Sequence, residues 1–167
     1  MRALVVFETM FGNTGKIAAA IADGMADGAD VTLTNVVDAP AELPATVDML
    51  VVGGPTHAFS MSRVGTRRTA AERGGAFTDV PGGIREWLEA LPPPKTRVSF
   101  AGFDTRVDMP LLPGAASRAA TKLARKHGFD VLDPASFLVE GYEGPLVEGQ
   151  LELARDWGHG LTEQLAG

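Results

Sequence analysis

The segment Phe7-Glu8-Thr9-Met10-Phe11-Gly12-Asn13-Thr14-Gly15-Lys16-Ile17-Ala18 gathers the residue types that hold an anion. It follows the apolar run Ala3 to Phe7 and precedes apolar residues at helical spacing, Ile17, Ile21 and Met25. A strand therefore hands over to a helix within it. The first amides of a helix have no partner inside the helix, and they point at whatever lies before its start. Together with the aligned peptide dipoles they favour a phosphate or carboxylate there. Thr9 and Thr14 add hydroxyl donors, and Gly12 permits a tight turn. No lysine falls inside the turn, which excludes the spacing of a nucleoside triphosphatase loop. A phosphate site and a plain capped turn both fit these residues.

Further along, chemistry-bearing residues are few. His57 follows Gly53-Gly54-Pro55-Thr56, and Asp104 lies in Gly102-Phe103-Asp104-Thr105-Arg106-Val107. Arg63, Arg67, Arg68 and Arg73 form a basic stretch that reads as a solvated loop, a dock for an acidic partner, or a grip on a cofactor phosphate. Glu140, Glu143, Glu148 and Glu152 surround the start of the last helix, where they suit its dipole better than a metal. There is no cysteine, so thiol chemistry, disulfides and zinc thiolate sites are excluded, and redox work would need a cofactor. His127 and His159 read as structural or solvated, Trp87 and Trp157 as core, and Tyr142 as part of a surface turn or a cover over the ligand.

The elements that position these residues alternate. Ala3 to Phe7, Met49 to Val52 and Val98 to Phe103 are continuous apolar runs, as in strands buried on both faces. The run at residues 31–37 is looser and suits an edge, and a fifth strand is broken around Pro134. Helical spacing marks residues 14–25, 84–91, 116–124 and 151–165, whereas residues 38–47 hold little more than a turn. A polar insert, residues 60–83, follows the third strand. Such alternation implies an α/β, three-layer fold: a five-stranded parallel sheet with helices on both faces. The loose strands at the edges give the order 2-1-3-4-5. Ligands then bind at the carboxyl ends of strands one and three, where the winding reverses. The opening segment sits at that point.

The chain has 167 residues, which suits one domain over 1–167, and its net charge of −6 disfavours nucleic acid and anionic lipid as partners. No run reaches the ~18 apolar residues of a membrane span. The apolar stretch near Met1 is too short for a signal peptide, so the cytoplasm is the expected address.

Val5-Val6-Phe7-Glu8-Thr9-Met10-Phe11-Gly12-Asn13-Thr14, with Ala18 and Ile21, resembles the flavodoxin signature, and the order of elements extends the resemblance over nearly the whole chain. The resemblance implies FMN as cofactor, with its phosphate on Thr9, Met10, Phe11, Gly12, Asn13 and Thr14. It implies that Pro55, Thr56, His57, Ala58 and Phe59 border one edge of the flavin ring, and Gly102, Phe103, Asp104 and Val107 the other. Asp104 would accept a hydrogen bond from the flavin or its ribityl chain, or cap a turn.

Many flavodoxins sandwich the ring between a tryptophan and a tyrosine. Here His57 and Val107 stand near those positions, which implies a more open ring and a less negative potential for the second electron. Phe59, Phe103 and Tyr142 are the aromatic candidates to fill the gap. The implied function is an electron carrier between redox partners. An FMN oxidoreductase using NAD(P)H or a quinone is the alternative, and a flavin-free binding module on the same fold is a third. No catalytic residue or metal ligand is assigned.

Overall fold

The computed structural model describes residues 1–57, 60–72, 74, 82–109 and 114–167. Six strands form one sheet: β1 (Arg2–Phe7), β2 (Asp30–Asn35), β3 (Met49–Pro55), β4 (Ser99–Val107), β5 (Asp130–Val131) and β6 (Ala135–Val139). The order is β2-β1-β3-β4-β5, with β6 also on β4, and every pairing is parallel. β5 and β6 are the two halves of the strand that Pro134 interrupts. Proline has no amide to give a ladder, so the chain leaves the sheet there and re-enters it. β2 holds the opposite edge.

Period-two alternation sends side chains to two cores. Val5, Met49, Val51, Ala101 and Phe103 face α1 (Asn13–Met25) and α5 (Gln150–Ala166). Leu4, Val6, Leu50, Val52 and Phe100 face α3 (Ile84–Ala90) and α4 (Ala116–Lys126). Helices α1 and α5 meet at glycine: a Cβ on Gly24 would lie 2.0 Å from the Arg155 carbonyl oxygen, and one on Gly158 would lie 2.3 Å from that of Ile21.

Four features depart from the sequence expectation. β3 does not stop before Gly53 but runs through Gly53, Gly54 and Pro55, because Phe103, Asp104 and Thr105 pair with them. β4 likewise runs on to Val107, since β6 supplies partners for residues 103–107. The whole stretch Gly102 to Val107, expected at an edge of the flavin ring, is therefore strand. The polar insert also contains a helix, α2 (Val64–Glu72), within which Arg67 is buried. That residue does not belong to a solvated basic patch. Arg73 lies outside the described residues. The turn expected in residues 38–47 is seen slightly earlier, as a 3₁₀ turn at Val36–Asp38 whose amide at Val37 donates to the Asn35 side chain.

Candidate functional site

The carboxyl ends of β1, β3, β4 and β6 open into one cleft of about 420 Å³, its mouth included. Its floor is polar. Gly12 precedes α1 with φ of +91°, a left-handed conformation that glycine adopts without a side-chain penalty. The Gly12 amide donates to Thr9 Oγ1 at 3.1 Å, and its carbonyl accepts from the Lys16 amide, closing the first helical turn. The amides of Asn13, Thr14 and Gly15 are then left without an intrahelical partner. Thr14 Oγ1 lies 2.7 Å from Thr105 Oγ1, a buried hydroxyl pair that ties the start of α1 to β4.

The other end is aromatic. The rings of His57 and Tyr142 are 6.0 Å apart and inclined by 26°, and Phe11 meets Tyr142 edge-on at 5.5 Å. The turn carrying Tyr142 is fastened to α1, since Asn13 Nδ2 donates to the Glu143 carbonyl at 3.1 Å. Met10, Pro55, Val107 and Val139 complete the apolar wall, and Arg106 is the one charged residue in the lining among the described residues. No carboxylate of those residues faces the cleft.

His57 is buried, and its backbone exchanges hydrogen bonds with Ser60 at 2.7 and 3.0 Å. Its Nδ1 is buried without a partner among the described residues. Desolvation, with the Arg67 guanidinium adding to it, lowers the imidazole pKa to about 4, so the ring is neutral at pH 7.

No protein-family model and no curated protein matches the chain. Solved structures do match it. A flavodoxin from the domain Archaea superposes with a TM-score of 0.68 over 100% of both chains, at 19% identity. A Streptococcus pneumonia TIGR4 flavodoxin gives 0.67 over 98% of this chain and 99% of its own, at 16% identity. Two-electron reduced Megasphaera elsdenii flavodoxin gives 0.63 over 96% and 98%, at 18% identity. The chain has the flavodoxin-like fold. At these identities the likeness is one of fold, and the site rests on its own residues.

Within this flavodoxin-like fold, Thr9, Met10, Phe11, Asn13, Thr14, Pro55, Thr56, His57 and Val107 all line the cleft, and Gly12 shapes its floor. Thr56 also serves the scaffold, as its hydroxyl accepts from the Ala116 amide at the start of α4. Ala58 and Phe59 lie outside the described residues.

Three expected residues are elsewhere. Gly102 is buried beneath α4, where a Cβ would lie 2.9 Å from the Ser117 carbonyl oxygen. Phe103 is fully buried, with its ring against Gly53 and Trp157, so it cannot cover a ligand in the cleft. Asp104 is fully buried and accepts from the Ser117 amide at 2.9 Å, so it caps α4; burial raises its pKa. Gly102 and Phe103 fall within the expected strand, and the extension of β4 adds Asp104 to it, so all three stay inside the sheet.

Thr105, Arg106 and Val139 line the cleft without having been singled out for it, and Tyr142 lines it too, as the cover over the ligand rather than as part of a plain surface turn. Extension of β4 and its pairing with β6 bring up the first three. Of the two tryptophans, Trp157 packs on Phe103 and Phe137, and Trp87 is half-buried with its indole N–H on the Pro40 carbonyl. His127 contacts the Leu91 carbonyl and His159 pairs with Glu163, so neither serves the cleft.

Proposed function

We propose that the cleft binds FMN non-covalently and that the protein carries electrons between redox partners, with residues 1–167 acting as one domain. The observation that carries this reading is the cleft's two-ended chemistry. At one end stand open helix-start amides and threonine hydroxyls, and at the other two nearly parallel rings, with no carboxylate among the described lining residues. A phosphomonoester with a flat aromatic end needs both. Two rings 6.0 Å apart are close to the ~7 Å that admits a third between them at van der Waals contact. The fit is therefore good with a small opening of Tyr142, which sits on an exposed turn.

FMN, when bound, supplies one- and two-electron transfer. The chain supplies the rest. Asn13, Thr14 and Gly15 present amides to an anion, while Thr9 and Thr14 present hydroxyls beside them. His57, neutral at pH 7, adds apolar surface without charge, and Tyr142 and Val107 limit the access of water. Arg106 places a positive charge near the ring end, which favours electron uptake.

Carrier is preferred to catalyst because the cleft lacks a group suited to proton transfer. A general acid or base works best with a pKa near the working pH. The His57 imidazole is far below it at about 4, and its Nδ1 is sealed from the cleft's water. An FMN oxidoreductase acting on a quinone is the second reading, favoured by the half-exposed Tyr142 at the mouth, which would let a flat oxidant approach. A redox partner protein or a small acceptor such as a quinone would then take the electrons, and the cytoplasm would be the place.

The experiment is a visible spectrum of the purified protein, then reduction with NADH, with NADPH and with a flavodoxin reductase, with and without quinone. The carrier reading expects a flavin spectrum, slow direct reduction and fast reduction through the reductase. Fast turnover of NAD(P)H with quinone would replace it by the oxidoreductase, and failure to take up FMN would overturn both.

A further inference from the structure

Beneath the cleft lies a chain of buried charged groups that the proposed function does not use. Glu8 follows β1 immediately before Thr9 and is buried. Both of its oxygens are engaged: Oε1 accepts from the Ile84 amide at 2.9 Å, and Oε2 accepts from the Ser62 hydroxyl. Ser62 Oγ in turn accepts from Arg67 Nη1 at 2.8 Å, and Arg67 Nη2 pairs with Glu86. Arg67 and Ser62 are almost wholly buried. Arg85 binds the same segment from the other side, donating to Ser60 Oγ and to the carbonyls of Met61 and Ser62. Gly83 makes room for the cluster, since a Cβ there would lie 2.3 Å from Arg67 Nη1 and 2.6 Å from Glu8 Oε1.

A buried carboxylate and guanidinium cost several kcal/mol in lost hydration unless they hold each other in place. A fold that needed only a lid over β3 would be served as well by apolar residues. The arrangement of partners points instead to positioning. Ser62 and Arg67 belong to the segment that follows Ser60, and Ser60 is the residue whose backbone clamps His57 in both directions. Glu8 follows β1 directly and leads into the phosphate-type turn.

We propose that Glu8, acting through Ser62 and Arg67, is the positioning residue for His57, a clasp that locks the anion-binding turn and the His57 edge of the cleft into one geometry. The clasp deepens the proposed function, since His57 borders the ligand there, but it is a property of the chain alone. His57 reports on it. The ring faces Tyr142 and feels the positive charge of Arg67, Arg106 shares its cleft, and no carboxylate of the described residues lines that cleft. Its depressed pKa comes from burial and from Arg67, and both causes relax if the clasp opens.

The test uses the full chain without added flavin, comparing wild type with Ser62→Ala, Gly83→Ala and Glu8→Gln. Amide exchange is read along α2 and along β1 and β3, and His57 is titrated by NMR. In Ser62→Ala and Gly83→Ala, α2 amides are expected to exchange about tenfold faster, the equivalent of one lost hydrogen bond, while β1 and β3 keep their protection. The His57 midpoint should rise from about 4 towards 6.5 in both. Glu8→Gln, which keeps the acceptor for Ile84 but drops the charge, should give a smaller shift in the same direction. An unmoved His57 midpoint, or faster exchange spread evenly over the sheet, would overturn the clasp. Should one variant fail to fold, the other two decide. FMN binding by wild type is measured separately, so failure there sinks the proposed function and leaves the clasp standing or falling on its own data.

Discussion

The ring of Tyr142 lies 6.0 Å from that of His57 at an inclination of 26°, although the two are 85 positions apart in the chain. The pair makes Tyr142, rather than Phe103, the aromatic wall opposite His57. Tyr142→Ala is expected to weaken FMN binding by about 0.5–1.5 kcal/mol, the worth of one aromatic contact. It should also raise the potential of the second electron by tens of millivolts or so, since it admits water beside Arg106; ~59 mV corresponds to ~1.4 kcal/mol for one electron. Val107→Tyr should change that potential less, because Tyr142 already covers the cleft. Fluorescence titration and a redox titration measure the two effects. Equal potentials in wild type and Tyr142→Ala would show that Tyr142 does not cover the ring.

Thr14 and Thr105 share a buried hydroxyl pair at 2.7 Å. Thr14→Val leaves the Thr105 hydroxyl without that partner and should lower stability by about 1–3 kcal/mol. FMN affinity should fall with it, whereas Thr105→Val should lower stability with a smaller effect on affinity. Urea unfolding and flavin titration on both variants check this. Equal losses of affinity would place the phosphate away from Thr14.

His57 gives the fold a pH dependence. Its folded pKa of about 4 lies below the ordinary 6.5, so as pH falls the unfolded chain takes up the proton first. The stabilisation is complete above 6.5 and is lost as pH falls towards 4. At pH 5 this one group has removed about 2 kcal/mol relative to pH 7. Glu8 and Asp104, whose pKa values burial raises, work in the opposite sense, because the carboxylates that burial penalises become neutral as pH falls. The clean measurement is therefore a difference. Wild type should lose stability relative to His57→Gln between pH 6.5 and 4 in the absence of flavin, and parallel curves would contradict the buried, neutral ring.

What the sequence revealed depended on how local each cause was. β1 and β3 were legible because strands buried on both faces read as unbroken apolar runs, Leu4 to Val6 and Met49 to Val52. The turn at Thr9, Gly12 and Thr14 was legible because its residue types act at short range. The length of β4 was not, because β6 sets it by pairing with residues 103–107 from more than thirty positions later. Asp104 was assigned to the cleft for that reason, whereas Phe103 lies within the expected strand and turns into the core. Tyr142 owes its position to the Asn13–Glu143 bond, which spans 130 residues. Nothing local marks Glu8, since its partner Ser62 is 54 positions away.

The most direct test compares FMN with riboflavin, which differs only by the phosphate. Calorimetric titration of flavin-free protein should show FMN bound at least ~100-fold more tightly, as expected of two charge-assisted hydrogen bonds from the turn. Thr14→Val should narrow the gap. Equal affinity for the two, or no binding of either, would contradict a phosphate site at the start of α1 and with it the account of this cleft.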